Sequence, residues 1–158
     1  MLSKLIETKN DTLPLILRLT LAIAIFPHGA QKLFGWFGGY GFSATMQAFT
    51  ESMGIPAVLA FLVIMAESVG AIALAAGLLS RVTAFGIAAV MAGAAFMVHL
   101  PNGFFMNWFG NQPGEGIEYH LLAIGLALAI IIRGGGQFSL DYLLQQKLQH
   151  TQDARLSA

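Results

Sequence analysis

No cysteine occurs among the 158 residues, which excludes disulfides, thiolate metal centres and dithiol redox chemistry. Any redox role therefore falls to a bound cofactor, a quinone or a partner chain. Charge is scarce as well: 10% of residues are charged, against about 25% in soluble domains, too few to coat a water-exposed surface. The eight basic and eight acidic residues balance, so no basic surplus points to nucleic acid. Between residues 53 and 113 the only charged side chains are Glu67 and Arg81. Phosphate loops are missing too, since the glycines of GWFGGYG do not lie between a strand and a helix.

What remains is apolar sequence, 56% hydrophobic with a mean hydropathy of +0.71. The composition predicts an all-α, polytopic membrane protein: a compact bundle of four transmembrane helices with short interfacial helices. A spanning helix needs about 20 mainly apolar residues. The predicted spans are residues 13–34, 56–79, 82–100 and 117–133, the last somewhat short, with a preceding loop that dips into the membrane. They divide the chain into an N-terminal cytoplasmic or interfacial segment (1–12), the transmembrane domain (13–136) and a cytoplasmic amphipathic tail (137–158).

In the first segment Leu2, Leu5 and Ile6 suggest a short amphipathic turn. Glu7 and Asp11 offset its lysines and no small-residue cleavage site follows, so the first span reads as a retained helix rather than a signal peptide. Pro14 suits a first helical turn, and Pro27 is expected to kink the helix. A short helix over residues 43–53, capped by Ser43 and stopped by Gly54, follows the aromatic loop. Ser80 and Arg81 are read as the break between spans two and three. Small residues four apart (Ala66/Gly70, Ala73/Gly77, Ala89/Gly93, Gly125/Ala129) mark places where helices can approach closely. In the tail, Ser139 is the expected cap of a helix with Leu140, Leu143, Leu144 and Leu148 on one face, and residues 151–158 read as disordered.

Lys4, Lys9, Arg81, Arg133, Lys147 and Arg155 fall at one end of this arrangement, and Lys32 is the single lysine or arginine at the other. The positive-inside rule then sets both termini in the cytoplasm and the aromatic loops outside. At about 1.5 Å per residue, His28, Lys32, His99, Glu118 and His120 meet near the outer edge, while Glu67 sits roughly 18 Å below it. Ionisable residues inside a membrane are functional candidates by default. The reading assigns Glu118, His120 and His99 as proton-handling catalytic groups, and His28 and Lys32 as substrate-binding groups that polarise a carbonyl. Arg18 and Glu67 are expected to form a structural ion pair, although Arg18 is also long enough to snorkel to the inner headgroups.

Histidine changes charge near neutral pH, and a neighbouring carboxylate orients the ring or relays its proton. A quinone, which exchanges two electrons together with two protons, is served by such a set. Zinc, copper, iron or haem are alternative ligands of the histidines, but the spacing matches no compact metal motif, so no metal ligand is assigned.

Several stretches carry a resemblance: RLTLAIAIFPHGAQKLFGWFGGYG from Arg18, MAESVGAIALAAGLLSR around Glu67, NGFF at 102–105, EYHLL at 118–122 and GGGQFSLD ending at Asp141. In order and spacing they resemble the DoxX family of small four-helix bacterial membrane proteins, over residues 13–144. Where the usual family pattern has a second glycine after Glu67, this chain has Gly70 followed by Ala71. The resemblance implies a bacterial inner-membrane location and a link to redox processes, as in the membrane subunit of a thiosulfate:quinone oxidoreductase or a partner in an oxidative-stress complex. It brings no settled set of catalytic residues.

Three functions compete. The first is the membrane component of a quinone-linked oxidoreductase or oxidative-stress system, with quinone or quinol as ligand, no cofactor held by the chain itself, and a soluble redox protein as partner. Whether the chain is itself an enzyme, as a quinone-dependent oxidoreductase subunit, stays open, as does a homo-oligomeric state. The second is a non-enzymatic scaffold that recruits soluble redox enzymes to the bilayer. The third is a small transporter or proton pathway using Glu67, which the lack of internal repeats disfavours.

Overall fold

In a computed structural model the backbone is described for residues 2–156 and the side chains for residues 4–150. Among the described residues all regular structure is helical. A short α1 (Leu2–Leu5) precedes α2 (Leu13–Phe34), which runs unbroken through Pro27, with Pro14 in its first turn. Asp11 supports the start of α2, its Oδ1 accepting the Leu13 N–H at 3.0 Å. After a single 3₁₀ turn (Trp36–Gly38) comes α3 (Gly41–Gln47), continued by a π-helical turn (Ala48–Ser52). That helix begins two residues before Ser43, which does not cap it; Gly54, at φ 66°, ends the segment as expected.

The second rod consists of α4 (Ala57–Met65) and α5 (Ala71–Ala76) joined by a π-helical turn (Ala66–Gly70). It breaks at Gly77, three residues before the expected place, because Gly77 and Leu79 both adopt left-handed conformations. Ser80 and Arg81 therefore open α6 (Ser80–Ala94) instead of separating the spans. A π turn (Ala95–His99) and a 3₁₀ turn (Leu100–Asn102) carry this rod past Pro101. The fourth rod is α7 (Glu118–Arg133), and the chain closes with α8 (Leu140–Leu156). Residues 151–156 are thus helical rather than disordered; Ser157 and Ala158 lie outside the described residues, as does the side chain of Leu2.

Leu13–Phe34, Ala57–Ala76 and Ser80–Asn102 are each long and apolar enough to cross a membrane, whereas α7 has 16 residues. The most extensive packing is between α6 and α7, and α2 packs on α5 and α7. The core where these rods meet includes Leu21, Ile25, Leu74, Ile87, Met91, Ala127 and Ile130. Exposed Ile16, Ile23, Leu59, Ile72, Phe85, Phe96 and Leu122 face outward, the inverse of a water-soluble surface.

The small-residue pattern marks the contacts only in part. Gly93 and Gly125 have nothing within 4 Å of where a Cβ would stand, and Gly70 has only the Met65 carbonyl oxygen of its own rod at 3.5 Å. Gly77 does sit in a tight contact, 2.4 Å from Ser139 for a Cβ, but the closest approach lies outside the pattern, at Gly29, where a Cβ would lie 2.2 Å from the Glu67 carbonyl oxygen. There α2 meets the π turn of the second rod backbone to backbone.

Candidate functional site

The contact at Gly29 places the polar residues of α2 beside the π turn that carries Glu67. One turn after Gly29, Lys32 brings its ammonium to 2.5 Å from the Glu67 carboxylate, whose side chain is 5% exposed. The expected pair of Arg18 with Glu67 does not form. Glu67 belongs with the groups at the aromatic-loop end, because the wide π turn and the close approach at Gly29 aim its side chain at Lys32. Lys32 also reaches the His28 carbonyl at 3.5 Å.

From this ion pair a row of rings crosses to α7 and α6. The ring of His28, on the exposed rim, lies 6.1 Å from that of Tyr119. Tyr119 lies 5.6 Å from His120 in an edge-to-face arrangement, and its hydroxyl reaches the Ala24 carbonyl at 3.4 Å. His120 and His99 stand 4.2 Å apart, centroid to centroid. His120 is buried, and its Nδ1 has no hydrogen-bond partner; the Gly116 carbonyl faces the ring without a well-formed bond. His99 Nδ1 contacts the Glu115 carbonyl at 2.9 Å. A carbonyl can only accept, so Nδ1 carries the proton and, in the neutral ring, Nε2 carries the lone pair.

Glu118 and Glu115 organise the loop above this row. The Glu118 carboxylate accepts the Met106 N–H at 3.2 Å and the Glu115 carboxylate accepts the Asn107 N–H at 2.6 Å. Asn107 further exchanges two hydrogen bonds of 3.1 Å with the Gln112 backbone. Backbone bonds from Gly116, Ile117 and Glu118 to Phe105, Gly103 and Phe104 close the loop base. Of the residues expected at one site, His28, Lys32, His99 and His120 come together, with Glu67 added from the deeper set. Glu118 borders the row but spends a carboxylate oxygen on the loop. Sequence reasoning passed over Tyr119, which bridges two of the histidines, and Glu115; the signal for Tyr119 was its place within EYHLL between two assigned residues. Among the described residues no group of three or more histidine, aspartate or glutamate side chains is arranged to hold a metal ion.

Arg18 lies at the opposite end and is 1% exposed. Its guanidinium donates to the carbonyls of Gly135 (3.0 Å), Phe138 (2.6 Å) and Ala75. Asp141, also 1% exposed, accepts the Leu79 and Ser80 N–H groups at 2.7 and 2.8 Å and so caps α6. Ser139 caps α8 as expected, accepting the Tyr142 N–H at 3.0 Å. Thr8 Oγ1 takes the Gly136 N–H, and Arg133 pairs with Asp11. The run GGGQFSLD is therefore less a tail than the buried knot that ties four segments together. Gly77, at φ 68°, permits it, since a Cβ there would stand 2.4 Å from that of Ser139.

Among the described residues, an all-helical bundle with three membrane-length apolar rods and a polar row at one end defines an integral membrane protein. Residues 13–100 match the family model described as DoxX, and the chain belongs to that family. It is similar to the inner membrane protein YqjF of Escherichia coli (strain K12), 29% identical over 143 residues, covering 87% of this chain and 96% of that one. No solved structure matches.

Proposed function

We propose that the protein is the membrane component of a quinone-linked redox system and that a quinone ring binds along the row formed by His28, Tyr119, His120 and His99. The observation that carries this reading is the buried, unpartnered Nδ1 of His120 in the middle of that row. An orphaned buried polar atom costs about 1–3 kcal/mol, which a ligand hydroxyl or carbonyl would recover. Reduction of a quinone takes up two electrons and two protons. The protons pass through His99 and His120, with the pair of Lys32 and Glu67 setting the charge at the inner end. The electrons come from a partner protein or a soluble reductant.

In this reading α7 is the fourth span, its 16 residues extended by the loop base, and it packs along α6 and α2. Both termini are cytoplasmic: Arg81 and Arg133, held to Glu7 and Asp11, lie at the same end as Lys4 and Lys9, as the positive-inside rule requires. The inner membrane, where the name of the Escherichia coli relative places that protein, is the compartment proposed.

The test is quinol binding by the full chain in lipid nanodiscs. Binding weakened about tenfold or more by His99→Ala and by His120→Gln, worth about 1.4 kcal/mol each, supports the site. Equal affinity for the wild-type protein and both variants, with unchanged helicity, rejects it.

A further inference from the structure

Beyond Leu140 the chain leaves the bundle, and the character of α8 changes from one side to the other. Asp141 is buried and Tyr142 and Gln145 are half-buried, and they form the side that touches the bundle, Gln145 accepting the Thr8 N–H at 2.8 Å. Leu140, Leu143, Leu144 and Leu148 recur at helical spacing on the opposite side and are 42%, 59%, 43% and 43% exposed. Four leucines left open on one face of a single helix call for an apolar covering.

What covers them follows from where the stripe begins. Ala76 on α5, Phe138, Leu140, Tyr142 and Leu143 line one shallow groove of about 430 Å³. Ala76 ends the outward, apolar surface of the second rod, on which Ile72 is 55% exposed. The leucine stripe is thus continuous with the surface that the bundle presents to acyl chains. Phe138 strengthens the connection. Its φ of 60° is a left-handed conformation that residues with a Cβ rarely adopt. This conformation accompanies a carbonyl turned in to Arg18 and a ring left 69% exposed at the groove. Tyr142, in the same groove, is of a residue type enriched at the headgroup boundary.

We infer that α8 is an interfacial anchor, lying in the boundary between headgroups and acyl chains of the leaflet at the chain-terminal end of the bundle. Its occupant is the lipid surface itself. The leucines enter the acyl region and Gln146 and Gln149 stay in water. The knot around Arg18 and Asp141 fixes the angle at which the helix leaves the bundle.

Because the chain has no cysteine, a single introduced thiol reports on one place only. The full chain carrying Leu144→Cys, Leu148→Cys or Gln149→Cys is nitroxide-labelled and reconstituted in phosphatidylcholine–phosphatidylglycerol vesicles. Relaxation by dissolved oxygen is then compared with relaxation by a water-soluble nickel chelate. The expected result is a several-fold preference for oxygen at Leu144 and Leu148, reversed at Gln149. Equal nickel accessibility at all three positions overturns the proposal, since the stripe would then face water. Spin–spin broadening at Leu144 also overturns it, because the stripe would then be covered by a second copy of the chain.

Discussion

Gly29 offers the sharpest test of the packing. A Cβ there would stand 2.2 Å from the Glu67 carbonyl oxygen, 2.3 Å from its carbon and 2.5 Å from the Ser68 nitrogen, all backbone atoms. Ordinary contact begins at 3.4 Å, so α2 and the π turn must separate by about 1.2 Å to admit a methyl group. No flexible side chain can yield in their place. Overpacking of this kind costs about 1–3 kcal/mol, and a clash against backbone on both sides belongs at the upper end. For a chain of this size about 3 kcal/mol lowers the melting temperature by about 6–12 °C. The control is Gly93→Ala, at a position on α6 with nothing within 4 Å, where the gain in helix propensity is about 0.5–1 kcal/mol. The assay is thermal unfolding of both variants in the same detergent, followed by circular dichroism. If Gly29→Ala melts with Gly93→Ala at or above the wild-type temperature, the close approach that builds the site is wrong.

Lys32→Met strands the buried Glu67 carboxylate. Since 23% of the Lys32 side chain is exposed, the loss is placed at the low end of the buried-pair range, about 3 kcal/mol. The double variant Lys32→Met/Glu67→Leu regains most of that loss in the same melting assay, whereas Arg18 and Glu67 show no coupling in a double-mutant cycle. Arg18→Lys keeps the charge but loses the planar fork that serves three carbonyls; one orphaned acceptor costs about 1–3 kcal/mol, seen as lower resistance to unfolding. Asp141→Ala removes the cap of α6 and lowers stability by about 2 kcal/mol, with faster proteolysis after Leu79 as the local readout. At the membrane edge, the Leu13 N–H and then Arg133 hold the Asp11 carboxyl below its ordinary value. A depressed folded-state value means that the stabilisation is present above the ordinary carboxylate range and is lost as pH falls through the folded value. Melting curves of the wild-type protein and Asp11→Asn therefore converge in acid and separate, wild type higher, towards neutral pH.

The rods were legible because acyl-chain solubility demands long apolar runs, and such runs are visible without any contact information. The meeting of His28, His99 and His120 was legible for a related reason: depth along three helices can be counted from their ends. Azimuth cannot be counted in the same way. A five-residue π turn at Ala66–Gly70 rotates everything after it relative to a 3.6-residue helix, so the direction of Glu67 was hidden in the sequence. The partners of Arg18 were hidden more deeply, since they are backbone carbonyls that any residue could offer. What exposes them is the path of GGGQFSLD, a matter of tertiary closure. Likewise, glycine spacing shows where helices are able to touch; only the packed bundle distinguishes Gly29, pressed on backbone, from Gly93 in the open.

The knot at the chain ends bears on how the protein is made. Arg18 emerges early, yet its carbonyl partners at Gly135 and Phe138 lie 117 and 120 residues downstream. At about 5–20 residues per second, the ribosome delivers them roughly 6–24 s later. Throughout that interval the first inserted helix carries a guanidinium without its final acceptors, and a nascent chain halted before Asp141 also leaves α6 without its cap. Assembly is therefore finished backwards along the chain: translation of the stretch from Gly134 to Asp141 is what lets the first helix of the bundle settle.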